Sequence, residues 1–325
     1  MISSARSKIF WAALALCATL LAACSAGGGK PALRPEVQQR AASLLERALR
    51  AQQKGQSGQA EQLLRESLAS SSSIEDNPAR IVALVNLARL NRLRGDNPAA
   101  ADYADQALRL CSLHPEFMAE AAYEKAHIEL ALDRHYQALI WASRALDAEG
   151  EALMGVRRNL LARVQLAAGD GNAAARSARE ALGENRKSGQ AAEEANSLRL
   201  LGTLAADNGD LESADALFLE ALGIDKRIGA SVRIGLDLEK LADVAEKRRN
   251  LKLTADYLER AGSVYRSAGN GTKANLVLQK LEALYRDSGD SIGAEKARRQ
   301  REQLPCGQAP CPASAAESAR PSSKP

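Results

Sequence analysis

Side chains able to carry covalent or acid–base chemistry are few: three His and five Cys in 325 residues. His127 and His135 stand eight residues apart, too far for metal ligation from adjacent turns of one helix. His114 directly precedes Pro115, which puts it in a connection. Each histidine reads as a surface or groove residue rather than a ligand. Carboxylate pairs such as Glu193-Glu194 read as solvated helix faces. No glycine-rich phosphate loop, His-Glu-x-x-His or Gly-x-Ser-x-Gly occurs. Cys306 and Cys311 enclose Gly-Gln-Ala-Pro, a poor spacing for a metal-binding or catalytic Cys-x-x-Cys. In an oxidising compartment, however, the two can close a small disulfide loop. Cys111 lies on an apolar helix face and is expected to be a small buried hydrophobe. Neither a cofactor nor a metal site is expected, and a binding scaffold is expected ahead of an enzyme.

Composition narrows the partner class. Aromatic side chains make up only 3% of the chain, which leaves little for stacking on bases. The 44 basic and 40 acidic residues nearly cancel, and no Lys/Arg block is long enough to act as a phosphate-binding arm. Nucleic acid is therefore not an expected partner.

The few polar residues of interest must be positioned by a repeat. Leu198, Leu201, Gly202 and Ala205 form one i, i+3, i+4, i+7 stripe, and Ala214, Leu217, Phe218, Ala221 and Leu222 form a second. Between them Gly209 can end a first helix in the left-handed conformation and Asp210 can cap the next. The same figure recurs around Gly95-Asp96 and Gly169-Asp170. Aligning the copies on their turns gives starts near 41, 81, 119, 155, 195, 235 and 275. Seven helical hairpins follow. Proline is absent from Glu116 to Leu304, as uninterrupted helices on short turns require.

These residues resemble the tetratricopeptide repeat (TPR) family over residues 37–304. That family places Leu and a small residue in the first helix, Gly at the turn, then Ala, an apolar residue and Ala in the second. Ala60, Ala100, Ala138, Ala174, Ala214 and Ala294 take the first Ala position, and Ala107, Ala145, Ala181, Ala221 and Ala261 the second. The resemblance implies an all-α, right-handed superhelix (α-solenoid) of about seven hairpins. Departures are visible. The pitch exceeds the usual period of about 34 residues, and the frequent Pro after the second helix is missing. Thr254 replaces Ala in the sixth copy, whose turn reads Arg249-Asn250 in place of Gly-Asp. Arg301 replaces the second Ala of the seventh, as suits a terminal helix with a polar outer face.

In TPR proteins particular first-helix positions line an inner wall. Carried onto this sequence, they are Asn86, Arg89 and Arg92 in copy two, Tyr123 and His127 in copy three, Asn159 and Arg163 in copy four, and Asn196 and Arg199 in copy five. This Asn/Arg series is similar in residue type to grooves that bind peptide carboxylates, with Arg in some places where the family uses Lys. A planar guanidinium suits a carboxylate, and Asn can bond a peptide backbone. Glu239, Asp243 and Glu246 fall at corresponding places in copy six, so the groove is expected to change sign there. The same residues are also compatible with plain solvated surface.

The N-terminus reads as an address. Arg6 and Lys8 precede a weakly apolar run from Ile9 to Ala23, shorter than the roughly 20 residues a membrane span needs. Leu21-Ala22-Ala23-Cys24 resembles the bacterial lipobox, which implies cleavage after residue 23 and lipid on Cys24. A further acyl chain (palmitate in type) on the freed amino group would make the anchor stable. Ser25 after the cysteine implies sorting to the outer membrane. The expected organisation is a signal peptide at 1–23, a lipidated Cys and flexible tether at 24–36, the TPR array at 37–304, and a disordered tail at 305–325.

In plan the chain is similar to the pilotin-type lipoproteins of type IV pilus assembly. The expectation is an outer-membrane-anchored periplasmic scaffold binding protein or peptide partners in an envelope assembly or secretion system. Two alternatives remain: an adaptor recruiting cell-wall hydrolases or proteases, and a TPR-containing enzyme using His127 and nearby carboxylates.

Overall fold

A computed structural model describes residues 35–304. The signal, lipidation and tether assignments up to residue 34, the Cys306–Cys311 loop and the tail at 305–325 lie outside the described residues. The described chain is all α-helical apart from turns and two single-turn 3₁₀ segments, Pro115–Phe117 and Glu151–Leu153. The helices form hairpins in chain order. Hairpin one is α1 (Glu36–Gln53) with α2 (Ser57–Ser72), and hairpin two is α3 (Asn77–Leu93) with α4 (Asn97–Cys111). Hairpin three is α5 (Met118–Ala131) with α6 (His135–Asp147), and hairpin four is α7 (Met154–Ala167) with α8 (Gly171–Lys187). Hairpins five to seven are α9 (Ala191–Asp207) with α10 (Leu211–Ile228), α11 (Ser231–Lys247) with α12 (Leu251–Ser267), and α13 (Gly271–Asp287) with α14 (Ser291–Glu302). None of them is long and apolar enough to cross a membrane, among the described residues.

Contacts divide the chain at residue 80 into two units. In the first, Ala41, Leu44, Ala48 and Ala51 of α1 are buried, as are Ala60, Leu63 and Leu64 of α2. The Ser67 hydroxyl of α2 donates to the carbonyl of Ala41, 2.8 Å away. In the second unit successive hairpins stack, each second helix packing on the next first helix. First helices also touch one another directly, α5 on α7, α7 on α9 and α9 on α11.

Turn chemistry explains why hairpins form where they do. Gly209 has φ +83°, a left-handed conformation in which a Cβ costs roughly 1–2 kcal/mol, and Asp210 then accepts the amide of Ser213 at 3.0 Å. The sixth turn, which departs from Gly-Asp in sequence, folds the same way. Arg249 takes φ +58°, and Asn250 caps α12 through the amide of Leu253 at 3.1 Å. An Asn cap is as effective as Asp, so one orphan amide is satisfied although the backbone strain remains.

Small residues set the helix spacing. Ala100, Ala138, Ala174 and Ala214 in the second unit, and Ala107, Ala145, Ala181, Ala221 and Ala261 beside them, are completely buried. Thr254 is buried too, its hydroxyl donating to the carbonyl of Asn250. Ala294 departs from the expectation and is only half-buried, because α14 is the last described helix and has a neighbour on one side only. Arg301 on that helix pairs with Glu282 at 3.2 Å. Two first-helix glycines admit aromatic rings. A Cβ on Gly202 would meet Phe218 at 2.7 Å, and one on Gly235 would meet Tyr265 at 2.6 Å.

Candidate functional site on the first helices

All nine groove residues named from sequence lie in the second unit, on α3, α5, α7 and α9. The structure places most of them in contact with the next first helix. On α3, Arg89 donates to Glu124 at 3.1 Å and to Glu120, and Arg92 donates to Glu124 at 2.5 Å. Asn86 donates back to the Val82 carbonyl of its own helix. From α7, Arg157 reaches Glu120 at 2.6 Å and Glu149 at 2.7 Å, and its guanidinium lies 4.2 Å from the centre of the Tyr123 ring. Burial pushes the Glu120 carboxyl up, but the charges of Arg89 and Arg157 outweigh it and hold the group at about 2.

The pattern repeats one hairpin on. Asn159 of α7 donates to the Glu193 carbonyl (2.8 Å) and carboxylate (3.0 Å), and accepts from the Ser197 hydroxyl (2.7 Å). Asn196 donates to Glu193 at 3.0 Å. Arg199, only 7% exposed, is bonded to Asp225, Asp237 and Asn196. Glu193 and Glu194 are therefore not a solvated face. Both are half-buried, Glu193 holding the two asparagines and Glu194 pairing with Arg186 at 2.9 Å. The acidic stretch of copy six is likewise engaged. Glu239 accepts the Tyr265 hydroxyl at 2.5 Å, and Lys280 of α13 pairs with Asp243 at 2.7 Å and Glu246 at 3.9 Å.

Arg163 stands apart among the named arginines, exposed and without a hydrogen bond or ion pair among the described residues. Its positive charge acts on His127, which packs edge-on against Tyr123 with ring centres 4.7 Å apart. Burial, and then the positive charges of Arg163, Arg92, Arg89 and Arg157, hold the imidazole well below its ordinary value. At neutral pH His127 is uncharged. The exposed part of this face thus offers a free guanidinium beside a neutral imidazole and a phenol ring, a combination suited to binding an anionic group on a peptide.

No nucleophile and base are brought together here. Cys111 is buried on α4, and burial, reinforced by Glu116, pushes its thiol up to about 11, which makes it inert. Among the described residues no three His, Cys, Asp or Glu side chains converge as a metal site would require.

Sequence reasoning found the cations and missed their partners. Glu120 and Glu124 lie 31 to 35 residues beyond Arg89, nearly one repeat on, so opposite charges at repeat spacing were a usable signal. Asp237, 38 residues beyond Arg199, carries the same signal, whereas Asp225 carries none because it sits near the end of a second helix where the repeat has no fixed polar position.

Residues 39–112 match the tetratricopeptide repeat family. Repeat spacing and the helical-hairpin fold extend a TPR-like architecture beyond those residues, through the rest of the described chain. No curated protein matches the chain. Among solved structures, the apo form of RapI is similar over 81% of this chain and 97% of its own, at 12% identity and a TM-score of 0.62. A signal-transduction ATPase with a TPR sensor from Pyrococcus horikoshii is similar over 82% of this chain at 17% identity and a TM-score of 0.63. This chain spans 42% of that protein. A Rap protein crystallised with competence and sporulation factor aligns with 81% of this chain and 77% of its own, at 14% identity and a TM-score of 0.56. At these identities the likeness establishes the fold alone.

Proposed function

We propose that the protein is a non-catalytic scaffold whose first-helix face binds an extended, acidic segment of a partner protein around Arg163. The observation that carries this reading is the contrast among the arginines. Arg89, Arg92 and Arg199 spend their hydrogen bonds inside the chain, whereas Arg163 is exposed and free beside His127 and Tyr123. A fold built from such repeats leaves its first-helix face to partners, and a Rap protein of similar fold was crystallised with competence and sporulation factor. The lipobox-like Leu21-Ala22-Ala23-Cys24 supports an anchor on Cys24, and Ser25 supports the periplasmic face of the outer membrane, where the scaffold would serve an envelope assembly or secretion system of pilus-like type.

Two measurements test this. Acidic and neutral peptides of equal length are compared for binding to the full chain. Acidic peptides are expected to bind more tightly, with Arg163→Glu losing at least about tenfold through a lost charge-assisted hydrogen bond. Equal binding of both peptide classes, or an unaffected Arg163→Glu variant, removes the proposed site. Intact mass of the membrane-extracted protein should show a lipid-modified Cys24 as first residue, and an unmodified start elsewhere removes the anchor.

A further inference from the structure

The seam between hairpins five and six buries more negative charge than positive. Arg199 on α9 sends one guanidinium nitrogen to Oδ2 of Asp225 on α10 at 2.6 Å and to Oδ1 of Asp237 on α11 at 2.8 Å. Both aspartates are 0% exposed. Each keeps a second oxygen, Oδ1 of Asp225 and Oδ2 of Asp237, that is buried with no hydrogen-bond partner. Because both accept from the same guanidinium nitrogen, the two carboxyl groups adjoin one another. Few other groups face them. From α9 the second guanidinium nitrogen of Arg199 is taken by Asn196, and from α12 the Tyr265 phenol is turned to Glu239 of α11.

Two ionised carboxylates and one guanidinium would leave a net negative charge in a site closed to water, with two acceptors unsatisfied. Either defect is costly in a low-dielectric interior. One proton offsets both, because it neutralises the excess charge and turns one of the two unpaired oxygens into a donor. We propose that Asp225 and Asp237 hold a single proton between them, and that its release to solvent loosens the packing of hairpin five on hairpin six. The seam is thereby a proton-operated device in the middle of the second unit.

The direction follows from the surroundings. Burial raises the proton affinity of Asp237, Arg199 lowers it and the neighbouring Asp225 raises it again, with a net increase over an ordinary aspartate. The folded chain therefore holds this proton more tightly than the unfolded chain. The stabilisation is complete below the ordinary carboxylate range and is lost as pH rises through the raised value.

Hydrogen exchange in peptides from α9, α10 and α11 of the full chain tests the device, with rates corrected for intrinsic chemistry at about pH 5 and about pH 8. In the parent the opening equilibrium of these helices should be about tenfold or more greater at the higher pH. Asp237→Asn replaces the protonated acid by an amide that donates to Asp225, and should be protected at both pH values with the difference abolished. A parent seam that opens equally at both values overturns the proposal. So does an Asp237→Asn variant that opens more than the parent at the higher pH, since that would show both carboxylates acting ionised. Should Asp237→Asn fail to fold, infrared difference spectra of the parent decide. A buried protonated-carboxyl band present at the lower pH and gone at the higher supports the shared proton, and absence of such a band refutes it.

Discussion

Removing the Arg199 guanidinium while Asp225 and Asp237 stay in place strands the negative charge of the pair in a water-free site. Arg199→Leu is therefore expected to cost about 3–5 kcal/mol, read from urea unfolding of the full chain. Glu120 makes a contrasting case. Its carboxyl is held at about 2 by Arg89 and Arg157, so its contribution is present above the ordinary carboxylate range and lost as pH falls through that range toward 2. The side chain is 39% exposed, and solvent screening limits its worth to about 1 kcal/mol or less. Unfolding curves taken across the acid range should show Glu120→Gln closer to the parent at about pH 3 than at about pH 7. Coincident differences at both would mean the pair contributes nothing through ionisation.

At the level of elements, what matters is how closely two helices of a hairpin approach. Gly235 on α11 leaves room for the Tyr265 ring of α12, and an added methyl would sit 2.6 Å from it. Gly235→Ala should cost about 1–3 kcal/mol, and the double change Gly235→Ala with Tyr265→Leu should recover part of that loss in a thermal melt. The sixth turn offers the opposite sign. Arg249 is held at φ +58°, so Arg249→Gly should gain up to about 1 kcal/mol, and a loss would mean the arginine side chain makes a compensating contact. Both features show what the sequence made legible. Turn glycines and buried alanines announce themselves because φ and size are constraints local to one position, which is how Ala174, Ala214 and Gly209 located the hairpins. The Asp225 partner of Arg199 was not legible, because a charge at a first-helix position says nothing of a counterion supplied off the repeat spacing by a second helix. Whether an arginine is free, as Arg163 is, or consumed, as Arg199 is, depends on the rotation of adjacent helices by tens of degrees.

Across the second unit, contacts among the described residues run chiefly between a hairpin and its immediate neighbours, so damage should remain local. Ala214→Trp forces a large ring into a completely buried position between α9, α10 and α11. It is expected to speed hydrogen exchange in hairpins four to six while leaving hairpin three as protected as in the parent. A uniform rise across all hairpins would instead show the unit melting as one cooperative body.

The ion pairs that join one first helix to the next act mechanically as springs in series. Near the start of the second unit the Arg92–Glu124 and Arg157–Glu120 links each have one buried partner, Glu124 at 1% and Arg157 at 3% exposed, whereas both partners of the Lys280–Asp243 link near its end are exposed, at 52% and 40%. Dissolved salt weakens exposed links far more than buried ones. In a series the most compliant link sets the total deflection, so rising ionic strength should concentrate bending between hairpins six and seven while the segment around hairpins two to four keeps its rigidity.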